Sequence, residues 1–161
     1  MWIGSPLRGA FRLVTYLLLT LLLLPVHLLA LAVGVRPVVR WLPVVYHRMV
    51  CAILGIKVRV NGRRSTVMPT LFVCNHVSYL DIEVLGGRIP GCFVAKAEVA
   101  TWPFFSTLAK AQRTIFVDRR SAKTNNSRDE MLRRLDTGDN LMLFPEGTSS
   151  DGTPSAPIWR R

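Results

Sequence analysis

From Leu13 to Val35 the chain carries no Lys, Arg, Asp or Glu, and this run constrains the fold more than any other feature. As a helix it would extend about 34 Å at 1.5 Å per residue, enough to cross the hydrocarbon core of a bilayer. A cleavable signal peptide has an apolar stretch of only about 7–15 residues with a small-residue cleavage site behind it. Here the run is longer and continues through Arg36-Pro37 into further apolar sequence, so a membrane-associated helix is expected. Arg8 and Arg12 precede the run, and Arg36, Arg40 and Arg48 follow it. Cations on both flanks give no orientation under the positive-inside rule and suit a segment whose two ends share the cytoplasmic face. Pro25 permits a kink, since it removes one helical hydrogen bond.

The next segment, Val38 to Leu54, sets Trp41, Leu42, Val45, Met49 and Ile53 near one helical face, with Arg40, His47 and Arg48 largely away from it. Such a basic amphipathic helix suits the headgroup layer of a membrane, or packing on a soluble core. A formal net charge of +11 in 161 residues fits either nucleic acid or an anionic membrane surface. The apolar N-terminus selects the membrane, and no nucleic-acid partner is expected, because the Arg-rich segments flank membrane-like helices. Cys51, Cys74 and Cys92 are odd in number and far apart. They form neither a zinc pattern nor a closed disulfide framework and read as small buried apolar residues.

Beyond residue 55 the pattern changes. Ile56 to Val60 alternates and meets Asn61-Gly62, a hairpin signal. Short strands are expected at Thr70–Asn75, Cys92–Ala95, Thr114–Val117 and Asn140–Phe144. Helices are expected at Ser78–Leu85, Trp102–Ala111 and Asn126–Leu135. Strands alternating with helices imply a mixed or parallel sheet covered by helices. The fold class is therefore α/β: N-terminal membrane helices (residues 1–54) followed by a mixed β-sheet flanked by helices (residues 55–152), with an atypical tail at 153–161.

Three clusters carry possible chemistry. In Asn75-His76-Val77-Ser78-Tyr79-Leu80-Asp81, a histidine stands where a strand ends and a carboxylate stands one helical turn into the next element. A carboxylate there can fix the imidazole tautomer and leave the other ring nitrogen to accept a proton. Ser78-x-x-Asp81 also fits a helix capping box, so a purely structural role stands beside the catalytic one. Phe144-Pro145-Glu146-Gly147-Thr148 brings an acid, a glycine and a hydroxyl to the end of a strand, or is an ordinary strand-to-turn exit. Phe116-Val117-Asp118-Arg119-Arg120 puts paired guanidinium groups beyond another strand, as a phosphate fork or as a solvated charge cluster.

Taken together, these blocks resemble the glycerolipid acyltransferase family, whose best-known members are bacterial 1-acylglycerol-3-phosphate acyltransferases. The family's Asn-His, followed after four residues by Asp, is matched by Asn75, His76 and Asp81. Its Phe-x-Asp-Arg is matched by Phe116, Asp118 and Arg119, and its Phe-Pro-Glu-Gly-Thr by Phe144 to Thr148. The resemblance covers roughly residues 35 to 152. It implies that His76, oriented by Asp81, takes the proton of an acceptor hydroxyl, which attacks the thioester of acyl-CoA or acyl-carrier protein without a covalent enzyme intermediate. Asn75, Phe116, Asp118, Arg119, Glu146, Gly147 and Thr148 would bind substrate. No cofactor and no metal are expected. The implied partners are membrane lipids, a lysophospholipid acceptor and the acyl donor, at the bacterial inner membrane with the site facing the cytoplasm.

Two departures qualify what the resemblance implies. The expected acceptor is 1-acylglycerol-3-phosphate, giving phosphatidate. Ser149, however, stands where the family often has arginine, which opens lyso-ornithine lipid as an alternative acceptor. Family members also continue past the third block with further strands and a proline-containing motif, whereas this sequence ends in Thr153 to Arg161. A chain cut short there would expose a sheet edge, and an inactive, membrane-anchored family member is the corresponding expectation.

Overall fold

The computed structural model describes residues 5–117 and 124–145. Two compact units are present, Met1–Asn61 with Glu83–Pro90, and Gly62–Ile82 with Gly91–Arg161.

The first unit is built on two helices, α1 (Pro6–Val33) and α2 (Arg36–Leu54). Each has a proline at its start, where a missing N–H costs nothing. Each ends on a left-handed glycine, Gly34 (φ 77°) and Gly55 (φ 78°). Behind these caps, the N–H of Val35 reaches Ala30 O at 2.9 Å and that of Ile56 reaches Cys51 O at 2.8 Å, which satisfies carbonyls the helix would otherwise leave open. Pro25 and Pro43 lie inside the two helices.

α1 buries Leu19, Thr20, His27 and Ala30, and α2 buries Val44, His47, Val50 and Cys51. A polar link joins the helices where Thr20 Oγ1 meets the Tyr46 hydroxyl at 3.0 Å. The rest of α1 is apolar and open: Leu7, Phe11, Leu21, Leu22 and Val33 are exposed. The α2 stripe follows the same rule, since Trp41, Val45 and Met49 are exposed and the packed face lies elsewhere. Both helices are long and apolar enough to cross a membrane. A contiguous apolar surface of this extent suits membrane association, because burying it in lipid removes its cost in water.

The second unit holds a four-stranded sheet in the order β1-β4-β2-β3, with β1 at Leu71–Val73, β2 at Cys92–Lys96, β3 at Ile115–Val117 and β4 at Leu141–Leu143. All three pairings are parallel, so the expected mixed sheet is wholly parallel among the described residues. Helical connections explain this: parallel neighbours need crossovers, supplied here by α3 (Leu80–Gly86), α4 (Phe105–Ala111) and α5 (Thr124–Asp136). A 3₁₀ turn over Ala97–Thr101, which the sequence did not signal, precedes α4.

The central strands carry the core. Leu141 and Met142 of β4 are fully buried. Cys92, Val94, Ile115 and Leu141 form a cluster against which Met131 and Leu135 of α5 pack. At the start of β4, the buried Asn140 accepts the Thr70 N–H at 2.9 Å through its side chain and the Cys92 N–H at 2.9 Å through its carbonyl. Gly91 allows this close approach, since a Cβ there would stand 2.5 Å from Asn140 O.

The hairpin expected at Ile56–Gly62 is absent. Residues 56–61 form no strand, and Gly62 (φ 90°) makes a bend in an exposed connection. β1 pairs with β4, not with a preceding antiparallel strand, so the alternation of Ile56 to Val60 has no sheet to join.

Candidate active site

In parallel α/β sheets, the carboxyl ends of the strands are where loops gather and ligands bind. β1 and β4 are neighbours in register, with Val73 opposite Leu143, and the Cys74 N–H bonds to Leu143 O at 3.0 Å. His76 follows the end of β1 and Phe144 the end of β4. The pairing therefore brings His76 and Phe144 together across 68 residues of chain, and the two rings stack with centroids 4.3 Å apart and planes 26° apart. Phe144 in turn stacks on Phe93 of β2 at 6.3 Å. The imidazole thus has one flat apolar wall, and its side chain is 16% exposed.

Asp81 supplies the polar partner. His76 Nδ1 lies 3.0 Å from Asp81 Oδ2. The same oxygen accepts the backbone N–H groups of Val77 at 2.7 Å and Ser78 at 2.9 Å. Ser78 Oγ accepts the Leu80 N–H at 3.1 Å. The capping contacts and the contact to the imidazole therefore coexist in Asp81, because one carboxylate both closes the start of α3 and meets the ring. Burial alone would raise the Asp81 pKa. The N–H groups of Ser78 and Val77, together with His76, outweigh burial and hold the carboxyl below its ordinary value. An ionised carboxylate only accepts hydrogen bonds, so Nδ1 carries a proton, and in the neutral form of the ring Nε2 presents its lone pair. This arrangement can remove a proton from a hydroxyl that docks at Nε2.

Of the remaining predicted residues, Asn75 and Phe116 lie among those described. Asn75 is exposed beside His76, and Phe116 sits half-buried in β3 opposite Ala95. Three strand spacings separate β3 from β1, roughly 14 Å, so Phe116 stands apart from the His76–Asp81 pair. Asp118, Arg119, Glu146, Gly147 and Thr148 lie outside the described residues. Among the described residues, no group of three His, Cys, Asp or Glu side chains could hold a metal ion. Sequence reasoning did not foresee the Phe144 wall or the Phe93 behind it. Phe144 ends the β4 run one residue after Leu143, but only the strand order puts it under His76.

Residues 56–158 match the family model described as Acyltransferase. The chain belongs to the acyltransferase family. The matched stretch contains all three acyltransferase blocks, from Asn75 to Thr148. Among curated relatives, a lyso-ornithine lipid O-acyltransferase from Rhizobium meliloti is 42% identical over 94% of this chain and 50% of its own length. A second lyso-ornithine lipid O-acyltransferase, from Brucella abortus, is 42% identical over 74% of this chain and 45% of its own. A 1-acyl-sn-glycerol-3-phosphate acyltransferase from Neisseria meningitidis is 34% identical over 69% of this chain and 44% of its own. The chain spans about half the length of these acyltransferases. The fold is shared with the crystal structure of the 1-acyl-sn-glycerophosphate acyltransferase PlsC from Thermotoga maritima. That match has a TM-score of 0.53 and 23% identity, and covers 86% of this chain and 64% of that one.

Proposed function

We propose that this chain carries the general base of an O-acyltransferase that moves a fatty acyl group from a thioester to the free hydroxyl of a lysolipid. The observation that supports this most is the His76–Asp81 pair, with Nδ1 held at 3.0 Å and the ring braced on Phe144. His76 Nε2 takes the acceptor's hydroxyl proton as the oxygen attacks the thioester carbonyl of acyl-CoA or acyl-carrier protein. Collapse of the tetrahedral adduct breaks the carbon–sulfur bond, and the imidazolium returns its proton to the departing thiolate. The products are an ester and a free thiol, with no covalent enzyme intermediate and no cofactor.

In this reading Asn75, Phe116, Asp118 and Arg119, with Glu146, Gly147 and Thr148, bind the substrates, and Arg119 pairs with an anionic group of the acceptor. The acceptor favoured here is lyso-ornithine lipid. Ser149 replaces the arginine often found after Glu-Gly-Thr, and the relatives at 42% identity carry that name. The second reading, 1-acylglycerol-3-phosphate, draws on the 34% identical relative and on the fully matched Phe-Pro-Glu-Gly-Thr block. The location that fits both is the cytoplasmic face of a bacterial inner membrane. No Asp or Glu precedes Asp81 in the sequence, and such a cationic half is drawn to anionic headgroups.

The deciding experiment offers the membrane-inserted protein lyso-ornithine lipid and lysophosphatidate in competition, with labelled acyl-carrier protein or acyl-CoA as donor. Preferential labelling of the ornithine lipid is expected. Preferential formation of phosphatidate would replace it with the second reading.

A further inference from the structure

Behind the wall that Phe144 gives His76 stands a second ring, and the sheet explains how it comes to be there. β2 and β4 run in parallel register with Phe93 opposite Met142. Phe144 follows Met142 by two residues, so strand alternation puts Phe93, Met142 and Phe144 on one face of the sheet. The alternate residues Cys92, Val94, Leu141 and Leu143 turn to the other face, into the cluster that meets α5. Phe93 and Phe144 are both buried, and Met142 beside them is fully so. His76 follows β1, Phe93 belongs to β2, and β4 lies between those strands, so Phe144 stands between the two. Its plane is 26° from the imidazole at 4.3 Å and 13° from the Phe93 ring at 6.3 Å. Three near-parallel rings thus run across three neighbouring strands.

The stack supplies what the carboxylate alone does not. One hydrogen bond from Nδ1 to Asp81 Oδ2 decides which nitrogen holds the proton, but not the tilt of the ring. The χ2 torsion of a histidine has a broad, twofold well, so the imidazole can swing about that bond. Such a swing carries Nε2, across the ring, off its line to a docked hydroxyl. A flat neighbour removes this freedom only if it is itself held. Phe144 lies one residue past the end of β4 and draws on side-chain packing for its place. Phe93 sits within β2, which is paired on both sides, and aromatic rings at this spacing attract one another. A small residue at 93 would leave a gap beneath Phe144 into which the ring could sink.

We propose that Phe93 is a positioning residue for acyl transfer: it backs Phe144, and Phe144 holds the plane of the imidazole that Asp81 orients. The proposal rests on the reading of His76 as the base. Phe93 itself touches neither substrate nor reacting atoms.

The test uses the whole chain in detergent, labelled with ¹⁵N-histidine. The resonance of His76 among the three histidines is assigned through His76→Ala. In the wild type, His76 shows the signature of a proton held on Nδ1. Phe93→Ala is expected to convert this to a mixture of tautomers and to lower kcat by about 10-fold, with KM nearly unchanged. Val94→Ala, one residue along the same strand but facing α5, is the control for lost packing alone. It is expected to lower the melting temperature while leaving the His76 tautomer and kcat as they are. If Phe93→Ala does not fold, Phe93→Leu keeps most of the volume, lacks the flat face and carries the same test. A folded Phe93→Ala or Phe93→Leu protein with the wild-type His76 tautomer and wild-type kcat would overturn the proposal. So would a Val94→Ala protein that loses both readouts to the same extent as Phe93→Ala. If the wild type transfers no acyl group, the functional reading fails, while the His76 tautomer still decides whether Phe93 positions the ring.

Discussion

Asp81 Oδ2 lies 3.0 Å from His76 Nδ1 while also accepting the backbone N–H groups of Val77 and Ser78. The carboxylate that orients the imidazole is thus itself fixed by the backbone beside that imidazole. The strand end, the helix start and the ring orientation form one rigid group, and substitutions within it should be felt in both catalysis and stability.

Asp81→Asn keeps the size of the side chain but removes its charge and offers an amide N–H in place of one acceptor. The His76 tautomer is then no longer enforced, so kcat should fall by about 10²- to 10⁴-fold with a much smaller change in KM. Steady-state kinetics on the purified variant would check this.

The depressed Asp81 pKa has a sign-definite consequence for stability. A carboxyl whose folded pKa lies below its unfolded value stabilises the fold above the unfolded value, near pH 4, and loses that contribution as pH falls through the folded value. Thermal melts from about pH 6 down to about pH 2.5 should show the wild type more stable than Asp81→Asn at the upper end. The gap should close on acidification. A gap that stays constant with pH would show that Asp81 is not held ionised by its partners.

Much of this arrangement was legible in the sequence, and the part that was not has a physical cause. The uncharged run from Leu13 to Val35 foretold α1, since length and apolarity are local properties. His76 and Asp81 are five residues apart, so a strand end and one helical turn sufficed to bring them together. Strand order is not local: nothing near Phe144 announces that β4 lies beside β1 and brings its ring under His76. Likewise, His47 sits off the apolar stripe of α2 and reads as a surface residue. Its partner Glu83 comes 36 residues later, and only the fold shows that the histidine is buried against it. The hairpin expected at Asn61-Gly62 failed for the converse reason, because a turn signal makes a hairpin only where an antiparallel partner exists.

Leu141 is fully buried at the centre of the sheet, between Cys92, Val94 and Ile115. Leu141→Ala should destabilise the protein by about 2–5 kcal/mol, through lost burial and the cavity left behind. Chemical denaturation followed by circular dichroism would measure it.

Gly91→Ala tests the other side of packing. The added methyl would meet the Asn140 carbonyl at 2.5 Å and the Asn140 Cβ at 2.9 Å, and Asn140 also accepts the Cys92 N–H through its carbonyl and the Thr70 N–H through its side chain. A loss of about 1–3 kcal/mol is expected from this overpacking, read by the same denaturation.

The central claim is that His76 acts as the general base, and one comparison tests it most directly. Wild-type and His76→Ala proteins are inserted into membranes at equal amounts. Transfer of a labelled acyl group to lyso-ornithine lipid and to lysophosphatidate is then followed from acyl-carrier protein and from acyl-CoA. The account predicts transfer by the wild type that disappears in the variant, with both proteins equally bound to the membrane. Undiminished transfer by His76→Ala would contradict it.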